Sequence, residues 1–135
     1  MRLVLAAALL FALSGSGIAA AAFVQFRTPS GNIGCAFSSS PASLRCDILS
    51  GLKPLPPRPQ GCRLDWGFGY SLGRTGRTRL MCAGDTAVDR RAKVLRYGRK
   101  WSRDGFTCAS RLGGLRCSNR SGHGFHLGRL HSFRF

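Results

Sequence analysis

Six cysteines, at positions 35, 46, 62, 82, 108 and 117, constrain this chain more than any other feature. Taken as three neighbouring pairs, they impose three antiparallel hairpins. Facing residues in such a hairpin have a constant index sum, and side chains of one face recur at every second position. With Cys35 opposite Cys46, Ile33 falls opposite Ile48 and Phe37 opposite Leu44, all on the cysteine face, while Ala36 and Arg45 point the other way. A slip of one residue would scatter this apolar set over both faces. Ser38 to Ser43, with Pro41 inside, has turn composition. With Cys108 opposite Cys117, Phe106 falls opposite Asn119 and Ser110 opposite Leu115, around a loop from Arg111 to Gly114. Placing Cys62 opposite Cys82 sets Leu64 against Leu80 and Trp66 against Thr78, with Gly67 to Arg77 as a longer glycine-rich loop. In the first and last hairpins Cys-Ala leads in and Leu-Arg-Cys leads out, which internal duplication or shared hairpin geometry would both produce.

The amino terminus supplies a compartment in which such bridges form. Met1-Arg2 is a short positive region, Leu3 to Leu13 is apolar, Ser14 to Gly17 breaks the run, and Ala19 to Ala22 offers small residues for cleavage. This three-part pattern is that of a secretory signal peptide. The apolar run falls short of the roughly 20 residues a spanning helix needs. We therefore expect a leader over residues 1–22 and a single mature domain over 23–135, exported to the periplasm or beyond the cell. An even set of cysteines behind an export signal reads as disulfides. Zinc is the alternative reading, but no Cys-x-x-Cys pair occurs.

Between the hairpins, Gly51 to Gly61 carries Pro54, Pro56, Pro57 and Pro59 and reads as an extended surface connection. Ala87 to Ala92 has room for one helical turn, and Leu95, Tyr97 and Trp101 are anchors interrupted by Gly98. Short strands, frequent turns and 18 glycines predict an all-β, disulfide-stapled antiparallel sandwich or barrel-like domain rather than an α/β fold.

Several motifs follow one another in order: Pro29-Ser30-Gly31-Asn32-Ile33 with Cys35, Asp65-Trp66-Gly67, Cys82-Ala83-Gly84-Asp85-Thr86, Leu95 with Tyr97-Gly98 and Trp101, Gly114-Leu115 with Cys117 and Asn119, and Gly122-His123-Gly124-Phe125. Together they resemble a bacterial family of small exported, cysteine-containing proteins of unknown function. The resemblance implies export and paired cysteines, and it supplies no catalytic residue.

Charge is the remaining guide. Lys plus Arg number 21, of which 18 are Arg, against five Asp and no Glu, for a formal charge of +16. Such an excess attracts polyanions. Arg90, Arg91, Lys93, Arg96, Arg99, Lys100 and Arg103 lie between Asp89 and Asp104 with no acid inside, and Tyr97 and Trp101 interleave with them. Arg grips phosphate or carboxylate bidentately, and aromatics add stacking. Arg74, Arg77 and Arg79 extend this candidate surface. Behind a leader, the expected partner is an anionic envelope polymer or lipid headgroup, with nucleic acid bound only non-specifically. A protein-binding module, inhibitor or effector, is the alternative for a small stapled scaffold. Hydrolytic chemistry is disfavoured. There is no nucleophile elbow, and only Asp65 or Asp85 folded against His123 would serve general acid–base work. No metal or cofactor is expected, since along an unbroken strand His126 falls on the opposite face from His123 and from His131.

Overall fold

The structure is a computed structural model that describes residue 12, residues 14–17 and residues 20–135, so the expected leader lies largely outside the described residues. Eleven strands form two sheets, with no helix among the described residues and none long and apolar enough to cross a membrane. The first sheet holds β1 (Phe23–Arg27), β2 (Ile33–Ser39), β3 (Ala42–Ile48), β4 (Asp65–Gly73), β5 (Arg79–Ala83) and β6 (Lys93–Val94), in the order β5-β4-β3-β2-β1-β6. The second holds β7 (Lys100–Arg103), β8 (Phe106–Arg111), β9 (Gly114–Ser118), β10 (Gly124–Leu127) and β11 (Ser132–Arg134), in the order β11-β10-β9-β8-β7. All pairings are antiparallel except β1 with β6. The arrangement is a sandwich and not a closed barrel.

Parity explains two of the hairpins. β2 and β3 pair Cys35 with Cys46, Ile33 with Ile48 and Phe37 with Leu44. β8 and β9 pair Cys108 with Cys117 and Ser110 with Leu115, and Arg111 still faces Gly114, so the loop itself is only Leu112-Gly113. All three expected disulfides are present: Cys35–Cys46, Cys62–Cys82 and Cys108–Cys117, with no free cysteine among the described residues. A set of this kind suits an oxidising environment.

The third hairpin departs from expectation. Cys62 precedes β4, so its disulfide ties a loop to β5, and Trp66, not Cys62, faces Cys82. Gly67 to Gly73, expected as loop, is strand, and the register shifts between Trp66 and Tyr70. Gly67 lies at that bulge with φ +80, where a Cβ would strike Leu55, and its carbonyl accepts a hydrogen bond from Leu52 N. The bulge thus makes room for the proline-rich connection. Trp66 Nε1 donates to Pro56 O and Arg58 lies 3.8 Å over the Trp66 ring, fastening that connection further. No helix forms over Ala87 to Ala92; Asp89 closes a turn there by accepting from Arg91 N at its side chain and from Ala92 N at its carbonyl.

The facing sides of the two sheets form one core. Phe37, Leu44, Ile48 and Leu72 from the first meet Phe106, Leu115, Phe125 and Leu127 from the second, all essentially without solvent exposure. Each such side chain contributes about 1.5–3 kcal/mol on burial. The two buried disulfides meet at the centre, with Cys46 Sγ 4.0 Å from Cys117 Sγ.

A candidate anion-binding face

Outer-face residues of β3 place the first part of the basic segment. Asp47 is buried on the side of the sheet away from the core. It accepts hydrogen bonds from Arg45 Nε and Nη2 (3.1 and 2.8 Å) and from Ala87 N (2.7 Å). Arg45 reaches on to Asp85, with Nη1 2.8 Å from its carboxylate and Nη2 2.8 Å from its carbonyl. Burial opposes the charge of Arg45, but hydrogen bonds to Asp47 and Asp85 outweigh it and hold the guanidinium above its ordinary pKa. The same hydrogen bond from Arg45 lowers that of Asp85. Glycine permits the close approach: a Cβ at Gly69 would strike Asp47, and one at Gly34 would strike Val88. The Asp85 to Val88 strap is therefore pinned across β2 and β3. From there the chain reaches β6, where Phe26 pairs with Lys93 and Leu95 N donates to Arg27 O.

A second set of bonds shapes the β1–β2 turn. Gly31 has φ +73 and donates to Thr28 O, while Ile33 N donates to Thr28 Oγ1. Asn32, buried, accepts from Ser50 N at Oδ1 and donates to Ser50 Oγ. Beside this turn opens a cleft of about 450 Å³ lined by Arg27, Ser30, Gly31, Asn32, Leu49, Arg90 and Arg129. Three arginines from three separate segments, Arg27, Arg90 and Arg129, line it, and no Asp or Glu is among the lining residues. Arg27 Nε is buried without a hydrogen-bond partner.

The structure divides the predicted basic residues. Arg90 joins Arg27 and Arg129, neither of which the linear pattern singles out because they lie far apart in the chain. Arg91, Lys93 and Arg96 are exposed on the crossover between the sheets. Arg99, Lys100 and Arg103 are exposed along or beside β7, an edge strand where cations also discourage strand addition. Arg103 additionally lies 5.3 Å over the Phe37 ring. Trp101 turns inward, its ring 4.9 Å from Phe26 and 5.6 Å from Phe37, so it packs the core. Tyr97 lines a groove of about 260 Å³ that adjoins the arginine cleft and shares Ser30, Asn32 and Arg129 with it. Arg74 and Arg120 pair with Asp104, and Arg77 and Arg79 line a different cleft, so none of the loop arginines extends this face.

The remaining candidates separate. Asp65 and Asp85 line one cleft and His123 another, which it shares with Arg77 and Arg134. His126 and His131, expected to diverge, stack at 5.3 Å because the chain turns at Gly128 between them; Phe133 stacks on both. Burial, then the nearby His131 and Arg116, lowers the pKa of His126. Among the described residues the grouped potential metal ligands are Cys35, Cys46 and Cys117, whose sulfurs are all held in disulfides and are not thiolates.

No curated protein and no solved structure matches the chain. A family model does match, over residues 5–135, and its description is a family of unknown function, DUF6636. With nearly its whole length covered, the chain belongs to that family.

Proposed function

We propose that this protein is an exported, non-enzymatic module that binds an anionic component of the cell envelope through the cleft of Arg27, Arg90 and Arg129. The observation that carries the proposal is the convergence of three arginines on one concavity without a carboxylate. Among the described residues these arginines form no ion pair. The fork geometry of guanidinium suits phosphate or carboxylate groups. The exposed cations from Arg91 to Arg103 add long-range attraction that steers a polyanion to the cleft. The three disulfides support export, since such bridges persist in oxidising compartments.

The test is binding of the oxidised protein to isolated envelope fractions, anionic polymers and DNA across a salt series. Binding to one fraction that outlasts high salt, and that Arg90→Glu with Arg129→Glu abolishes, is the expected result. Reversal of Arg96, Arg99 and Lys100 should slow capture and make its salt dependence shallower. Affinity that collapses uniformly with salt on every polyanion, DNA included, would identify a generic polycation and overturn the proposal.

A further inference from the structure

Exposed apolar side chains gather on the same face as the arginines. Leu49 lines the arginine cleft, and Tyr97, Leu112 and Leu130 line the groove beside it. Leu112 and Leu130 are each 87% exposed, more than any other large apolar residue described. Leu112 stands in the two-residue β8–β9 turn and Leu130 in the four-residue β10–β11 connection, and each directly follows an arginine, Arg111 and Arg129. Alternate turns of an antiparallel meander emerge at the same end of the sheet, so the two tips stand side by side, and they share one groove.

We infer that this face docks on the surface of an anionic lipid bilayer, with Leu112 and Leu130 entering the acyl boundary and Arg27, Arg90, Arg111 and Arg129 holding lipid phosphates. The inference rests on the anion-binding reading and names its ligand. A soluble polyanion would be held by arginines through counterion release and would leave the two leucines in water. A protein partner engages apolar anchors seated in complementary pockets, whereas these leucines each stand singly on a turn, 87% exposed at the rim of the groove. Projecting leucines need only a fluid apolar layer, and basic residues around them meet the negative headgroups above it. Tyr97, 41% exposed at the groove, has the amphipathic ring that settles at headgroup level.

The experiment is co-sedimentation of the oxidised protein with vesicles of phosphatidylglycerol mixed into phosphatidylcholine, with phosphatidylcholine alone, and a parallel titration with heparin. Wild-type protein should partition onto the phosphatidylglycerol vesicles and not onto phosphatidylcholine. Leu112→Ser with Leu130→Ser, at sites too exposed to affect folding, should lower that partition at least about tenfold while heparin affinity is kept. Leu112→Trp should show a blue-shifted emission difference against wild type only with the anionic vesicles. Unchanged vesicle binding by the serine variant, or no emission shift, overturns the docking inference. Heparin binding without vesicle binding also overturns it and leaves the anion-binding reading intact, and binding to neither overturns both.

Discussion

The two halves of the molecule repeat one plan. β1 to β5 and β7 to β11 are each a five-stranded antiparallel meander, and in each a disulfide joins the second strand to the third. Equivalent positions meet across the core. Phe26 faces Cys35 as Trp101 faces Cys108, and the two rings touch; Tyr70 faces Cys46 as Phe125 faces Cys117, and those rings lie 5.5 Å apart. The outer faces differ. The arginine before the second cysteine is Arg45 in one half and Arg116 in the other. Arg45 grips Asp47 and Asp85, and Arg116 lies 3.8 Å over the Phe135 ring beside the His126, His131 and Phe133 stack. The inner faces are constrained by each other, so the plan is kept there. The outer faces are free to hold a strap in one half and an aromatic–histidine stack in the other.

The largest test of this pseudo-symmetry removes an inner pair. Phe26→Ala should destabilise by about 3–5 kcal/mol and the half-buried Trp101→Ala by somewhat less. Because the rings touch, the double variant should lose less than the two single losses together. Urea unfolding measures this, and strict additivity would show that the halves do not lean on one another here.

Outer-face specialisation predicts an asymmetric response at equivalent positions. Asp47 and Ser118 both follow the second cysteine of their hairpin. Asp47→Ala leaves the Ala87 amide without its acceptor and Arg45 with Asp85 alone, and should cost about 3 kcal/mol. Ser118→Ala touches no such network and should stay within about 0.5 kcal/mol. Loss of Asp47 should also loosen the strap and weaken the anion binding proposed at Arg90. Equal responses at the two sites would erase the distinction.

The third disulfide has no counterpart in the second half and is the most accessible. Cys82 is exposed, whereas Cys35, Cys46, Cys108 and Cys117 have no solvent exposure. Mild reductant should open Cys62–Cys82 first, at a loss of about 2 kcal/mol, with the sandwich retained. Peptide mapping during partial reduction reads the order. A peptide joining Cys46 to Cys117 would instead show that the halves are cross-linked to each other.

How much of this could be read in the chain depends on whether the deciding contact is local. The β2–β3 and β8–β9 registers followed from cysteine parity, because a tight turn and a two-residue alternation leave little freedom. The same rule found the partner of Cys62 but misjudged its register, since the bulge at Gly67 answers to Leu52 and Leu55 in the proline-rich connection. Trp101 interleaves with cations in sequence, yet strand alternation at β7 sends it inward against Phe26. Arg27 and Arg129 lie outside every basic run, and only the turn at Gly128 and the β1–β6 pairing bring them to Arg90. That turn also stacks His126 on His131, where an unbroken strand would have parted them.

The smallest expected effect separates the halves by pH. His126 faces Arg116 on β9 as Ser71 faces Arg45 on β3, so one half carries a titrating group where the other does not. Burial and the neighbouring His131 and Arg116 hold the folded His126 below its ordinary 6.5. Between 6.5 and that lowered value the unfolded chain binds more protons than the folded one, so stability falls as pH falls through the window. Asp85, held below 3.8 by Arg45, keeps its contribution until far more acid conditions and loses it as pH falls through its own lowered value. The second half should therefore weaken first on acidification and the strap of the first half later. His126→Phe, which keeps a ring against Phe133, should flatten the urea-midpoint profile just below pH 6.5 and leave the acid limb unchanged, while Asp85→Asn should do the reverse. If His126→Phe leaves the upper limb as steep as in wild type, the histidine stack is not where protonation acts, and the two outer faces differ in packing alone.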